Sequence, residues 1–121
     1  MDHILCHFEI PADNVETLAA FYAGLFGWKV AAAPGFSDYW FVQTSAEPGA
    51  LAGGMMARQH PGQGIMNYVL VEDVAAYAER AQSLGATVLV SKTEIPEMGW
   101  IAVLQDPQGN CLGLFEVMQK E

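Results

Sequence analysis

The spacing of apolar residues along this chain switches between period two and helical period, and it does so twice in the same order. From about residue 4, CHFEIPAD alternates, with Cys6, Phe8 and Ile10 set against His7 and Glu9. That is the pattern of a strand with one apolar face. NVETLAAFYAGLFG then shifts to helical spacing, placing Val15, Leu18, Phe21, Tyr22 and Leu25 on one stripe. Three β-rich runs follow: WKVAAA, SDYWFVQT and LAGGMMAR. From about residue 66 the order returns. MNYVLVED reads as a strand and VAAYAERAQSLG as a helix with Val74, Tyr77, Ala81 and Leu84 aligned. ATVLVSKTEI, WIAVLQD and CLGLFEV read as the closing strands.

Local punctuation supports these boundaries. Asp13 is expected to cap the first helix, with Glu16 three residues later in a capping-box arrangement. Asp73 is expected to start the second. Gly27 and Gly85 supply left-handed stops, each followed at once by a β-rich run. Asp106-Pro107-Gln108-Gly109 predicts a turn that folds the last two strands into a hairpin. Gln59 to Gly64 (QHPGQG) is the connection between repeats. A half of this kind leaves one sheet face uncovered, so the repeats are predicted to enclose a shared cavity. The expectation is a single domain over residues 1–121, made of repeats at about 4–58 and 66–118.

Composition narrows the choices. An apolar fraction of 52% over 121 residues predicts one folded domain with a real core. Five Lys or Arg against fourteen Asp or Glu give a net charge of −9, a sign that repels nucleic-acid phosphates and anionic lipid. No apolar run approaches the roughly 20 residues of a membrane span, and MDHILCHF does not read as a secretory signal. A cytoplasmic location is therefore expected, with no nucleic-acid or membrane partner. Cys6 and Cys111 are read as buried free thiols rather than a disulfide.

At HFEIPADN leading into AAFYAGLFGW, at VLVEDVAAYAERAQSLGA and at the closing GWIAVLQDPQGNCLGLFE, the chain resembles the vicinal oxygen chelate superfamily of glyoxalases, bleomycin-resistance proteins and ring-cleaving dioxygenases. The resemblance covers nearly the whole chain. It implies an α+β fold of two βαβββ modules forming a cupped, barrel-like mixed sheet with helices on the outside. It also implies four cavity-facing metal-ligand positions in the metal-dependent members. Here His7 fills the first, while the others fall near Gly54, near Met66 or Asn67, and on Gly113. Glu9, two residues along the same face, can add one donor. Two donors fall short of the three protein ligands typical of catalytic zinc, so no catalytic metal is expected.

The expected function is binding of a small, largely apolar molecule in the cavity, by a contact set of His7, Glu9, Met66, Tyr68, Trp100, Cys111, Gly113 and Phe115. His7 and Glu9 are the candidate acid–base pair. Trp40 and Trp100 are not assigned to a sheet face by parity. His3 and His60 are read as solvated and given no role. Two rivals remain: a metal-dependent glyoxalase-type lyase, isomerase or dioxygenase, and a metal-free enzyme using His7 and Glu9. Exposed sheet edges and apolar rims predict a homodimer.

Overall fold

The computed structural model describes residues 2–119. It divides into two compact units, His7–Ile65 in one, and the residues before His7 with the chain from Met66 onward in the other. Each unit is built on a βαβββ module, so the architecture is α+β as the resemblance implies.

The first module comprises β1 (Leu5–Ala12), α1 (Val15–Phe26), β2 (Lys29–Ala32), β3 (Tyr39–Gln43) and β4 (Gly53–Ala57), with sheet order β2-β3-β4-β1. β4 runs parallel to β1, pairing Phe8 with Gly53 and Glu9 with Gly54, while β2·β3 and β3·β4 are antiparallel. Phe8, Ile10, Ala12, Val42 and Met55 form the core on one sheet face, and Val15, Leu18, Ala19 and Tyr22 of α1 pack onto it. Trp40 joins this helix-covered face. These side chains leave water on the same side of the sheet, and that burial holds the helix down.

Two sequence expectations are corrected here. Asn14, not Asp13, is the N-cap, its side chain accepting the Thr17 amide at 2.9 Å. Asp13 stands one residue earlier and pairs instead with Arg58 at 2.9 Å. The predicted stripe also divides: Phe21 and Leu25 are 55% and 59% exposed. Val15, Leu18, Ala19 and Tyr22 occupy the i, i+3, i+4 and i+7 positions that face the sheet, which leaves Phe21 and Leu25 on the flank. Gly27 ends the helix at φ 74°, as predicted.

The second module comprises β5 (Met66–Leu70), α2 (Val74–Ser83), β6 (Thr87–Ile95), β7 (Gly99–Gln105) and β8 (Cys111–Val117), in the order β5-β8-β7-β6. β5 and β8 are parallel, and β6 and β7 complete the sheet antiparallel. Val71, Val74, Ala78, Ala102, Leu104 and Leu114 make its core. Asp73 caps α2 by accepting the Ala76 amide, and Glu116 from β8 accepts the Val74 amide at 2.9 Å. Two carboxylates thus meet the positive end of the helix. The Asp106 turn forms as predicted, with its Oδ1 accepting the Gln108 and Asn110 amides and Gly109 at φ 90°.

Two further expectations change in this module. Leu84 is 71% exposed because α2 ends at Ser83 and Leu84 is its cap. Residues 2–6, including the first two of β1, group with this unit, and the Ile4 carbonyl accepts the Leu70 amide at 2.9 Å. His3 adds ring-nitrogen contacts of 3.1 Å to the Leu70 carbonyl and to the Tyr77 hydroxyl. Both thiols are free, but Cys6 is half-buried and Cys111 is exposed, because Cys111 opens β8 beside the turn. Among the described residues, no helix is long and apolar enough to cross a membrane.

Candidate functional site

Strand alternation sends Phe8 and Ile10 under α1, so His7 and Glu9 stand on the helix-free face of the first module. On β3 the same alternation turns Trp40 and Val42 toward α1 and Tyr39 and Phe41 away from it. β4 lies between β3 and β1, and a side chain on its helix-free face would keep the two apart. The residue there is Gly54. A Cβ on Gly54 would lie 1.8 Å from the Tyr39 hydroxyl. Because that atom is absent, Tyr39 lies across β4 and reaches both residues on β1.

The result is a hydrogen-bonded chain. The Tyr39 hydroxyl donates to Glu9 Oε2 at 2.9 Å and stands 2.7 Å from His7 Nε2. A hydroxyl has one proton, so with that proton on the Glu9 side the His7 Nε2–H is the donor to Tyr39. The His7 tautomer is assigned by this network. Burial pushes the His7 pKa below its usual value, and the Glu9 carboxylate pulls part of the way back. The chain gives a proton a path between the two groups, from Nε2 to Oη and from Oη to Oε2.

An aromatic surface adjoins this chain. Phe36 and Phe41 stand 6.3 and 5.9 Å from the Tyr39 ring, the latter edge-on at 82°. Phe36 is 39% and Phe41 37% exposed. The contact set expected from the sequence contains neither Tyr39 nor Phe36. The available signal was the bare Gly54 beside a strand carrying Tyr-Trp-Phe.

In the second module the same kind of exchange recurs. Tyr68 on β5 pairs with Gly113 on β8, and a Cβ on Gly113 would lie 2.2 Å from the Tyr68 ring. Gly113, Cys111 and Phe115 alternate away from the α2 core that holds Leu114, and Met66 shares the alternation of Tyr68. Trp100 takes the other side: it pairs with Glu116 and alternates with Ala102 and Leu104, which face α2. The Lys92 ammonium sits 4.9 Å from its ring centroid. His60 lines an open depression with Asp13, Arg58, Gln59 and Pro61. The Arg58 guanidinium there is engaged by Asp13 and the Gln63 carbonyl.

The superfamily resemblance implies a divalent metal in part of the group. Within the first module, His7 and Glu9 are two donors on the helix-free face, one short of the three protein ligands typical of catalytic zinc. The cross-strand neighbour of Glu9 is Gly54, whose side-chain volume Tyr39 occupies. The 2.7 Å His7–Tyr39 separation is a hydrogen-bond distance. Ligands at zinc bond lengths around a tetrahedral ion stand about 3.4 Å apart.

Comparison with known proteins bears on this geometry. Residues 7–115 match the glyoxalase-like domain family. The anthracycline biosynthesis protein DnrV of Streptomyces peucetius is 28% identical over 126 residues, covering 89% of this chain and 45% of its own length. The chain therefore spans about half the length of the curated relatives it matches. Methylmalonyl-CoA epimerase from Mycobacterium tuberculosis superposes with a TM-score of 0.69 at 18% identity, covering 95% of this chain and 88% of that one. A glyoxalase/bleomycin resistance protein/dioxygenase superfamily member from Vibrio splendidus 12B01 gives 0.67 at 11% identity, covering 97% and 100%. At those identities the structures show a shared fold.

Two predictions follow from the site geometry. Gly54→Ala should destabilise the chain by about 1–3 kcal/mol through overpacking against Tyr39, and Tyr39→Ala should relieve that added cost. Urea unfolding of both single variants and the double variant measures the coupling, and strict additivity would remove the proposed contact. The second concerns pH. Because the folded His7 value is lowered, the unfolded chain takes up the proton first as pH falls. The stability held by neutral His7 is thus complete above the unfolded value of about 6.5 and is lost as pH falls through the folded value. Between pH 7.5 and 5.5 the urea midpoint of the wild type should fall more than that of His7→Asn; parallel slopes would contradict this.

Proposed function

Since the chain belongs to the glyoxalase-like domain family, we propose that it binds a small, largely apolar molecule without a catalytic metal. The observation that carries this reading is the exposed Phe36–Phe41 surface beside the His7–Tyr39–Glu9 chain. Aromatic edges and faces supply apolar contact, and the polar chain supplies orientation, the usual division of labour in a ligand site. A flat aromatic molecule with at least one hydroxyl or carbonyl oxygen suits both halves. The relative named for anthracycline biosynthesis supports that ligand class. In this reading Tyr68, Gly113 and Phe115 line the corresponding face of the second module, with Met66 and Cys111 at its margin. Trp100, on the α2 side, contributes through packing.

A second reading, acid–base turnover by His7 and Glu9 without a metal, is favoured by the hydrogen-bonded chain, which can move a proton between them. Free thiols support a reducing compartment such as the cytoplasm. A homodimer is part of the proposal. Phe21, Leu25 and Phe26 are all more than half exposed on α1. A second copy of the chain would cover that apolar flank.

The ligand reading is tested by titrating the chain with 2-naphthol and following the fluorescence of its three Trp residues. Saturable binding is expected, weakened about tenfold by Phe41→Ala and by His7→Asn, a cost of roughly 1.4 kcal/mol each. No saturation up to the solubility limit, or affinity unchanged in both variants, removes it. A naphthol recovered chemically altered from wild type but not from His7→Asn favours turnover, and stoichiometric divalent metal in the purified protein removes the metal-free reading. For the dimer, light scattering at micromolar concentration should give twice the chain mass and fall to one chain for Leu25→Glu/Phe26→Glu; a wild-type monomer counts against it.

A further inference from the structure

We propose that Tyr39 stands in the place of a metal centre: its hydroxyl occupies the point where a donor from position 54 would converge with His7 and Glu9, and it ties those two groups into one proton-ordered unit. The inference rests on the metal-free reading above and adds a specific agent to it. Three observations meet at one atom. The Tyr39 oxygen is 2.7 Å from His7 Nε2 and 2.9 Å from Glu9 Oε2. It also lies 1.8 Å from where a Gly54 Cβ would be. A side chain grown from position 54 would therefore project into the same spot, between the same two partners. Glu9 and position 54 are cross-strand neighbours in the parallel β1·β4 register, which is why their side chains would share that volume.

The exchange has a chemical consequence. Ligation would require both donors to present lone pairs to the ion, and a phenol would have to surrender its proton to join them. The hydrogen-bonded arrangement needs the opposite: a proton on His7 Nε2 and a proton on Tyr39, each pointing one step closer to Glu9. Tyr39 thus acts as a positioning residue. With its own proton directed to Glu9, its hydroxyl accepts from His7 and favours the Nε2–H tautomer of the neutral ring. In the second module, Tyr68 covers Gly113 as Tyr39 covers Gly54, so side-chain volume is denied at both glycine positions.

The full chain, stripped with chelator, is titrated with Zn²⁺ and Mn²⁺ by calorimetry, and its imidazole nitrogens are read by ¹⁵N NMR above the His7 titration. Wild type should show His7 as a single Nε2–H tautomer and no one-to-one site for either ion that depends on His7. Tyr39→Phe, which keeps the ring, should lower the share of the Nε2–H tautomer of His7. Tyr39→Ala/Gly54→His should gain a Zn²⁺ site roughly 100-fold tighter than any in wild type. A wild-type site for either ion that weakens in His7→Asn overturns the proposal and the metal-free reading together. An Nδ1–H tautomer in metal-free wild type, or a tautomer unchanged in Tyr39→Phe, overturns only the role of Tyr39. So does a folded double variant that gains no metal. Where the double variant does not fold, the wild-type and Tyr39→Phe measurements decide.

Discussion

A side chain on one strand ordinarily meets only the strands beside it, because the intervening strand carries side chains of its own at a spacing of about 4.8 Å. In the first module that barrier is missing at one position. Gly54 presents bare backbone on the helix-free face of β4, and Tyr39 crosses it to bring its hydroxyl against His7 and Glu9. The polar chain depends on this crossing. So does the placement of Phe36 and Phe41, which pack around the Tyr39 ring rather than around each other alone. Gly53, one residue earlier, performs the matching task on the opposite face, where the Phe8 ring lies over it and joins the core under α1. Adjacent glycines thus let one strand accept a core ring on one side and a polar-tipped ring on the other.

This arrangement explains how the module orders two ionisable groups on one face. His7 is half-buried, and the loss of solvent lowers its affinity for a proton. A neutral imidazole beside a carboxylate still needs a geometry that satisfies both. The tyrosine hydroxyl supplies it, because a hydroxyl accepts from one partner while donating to the other. The Tyr39 ring supplies the packing against Phe36 and Phe41, and its oxygen supplies the two polar contacts.

Much of the fold was legible because helix caps, glycine stops and period changes are local signals. Every strand run and both helices were readable in the residues, and Asp73, Gly27 and the Asp106 turn behave as their chemistry predicts. The failures were also local in cause. Asp13 and Asn14 are both competent caps; Asn14 takes the Thr17 amide, while Asp13 pairs with Arg58, far away in sequence. Phe21 and Leu25 lie on the flank of a stripe whose centre alone meets the sheet. His7, Glu9 and the bare Gly54 could be named from strand parity and resemblance. Tyr39 could not, since its role comes from a reach across two strand pairs that no alternation pattern records. Trp100 was undecidable for a related reason: only its pairing with Glu116 fixes the side it takes.

The two modules solve the same problem with different residues. In the parallel pair β1·β4, Glu9 is opposite Gly54; in the parallel pair β5·β8, Tyr68 is opposite Gly113. Tyr68 therefore holds in its module the place that Glu9 holds in the other, and its ring covers the glycine directly, with no third strand involved. One module brings a phenol to a carboxylate; the other puts a phenol in the carboxylate's place. Loss of a side chain at a strand position is ordinarily a loss of packing, so a bare position survives only where something fills it. Here a tyrosine fills it both times. The glycines that first read as missing donors are better understood as the space that two aromatic rings require.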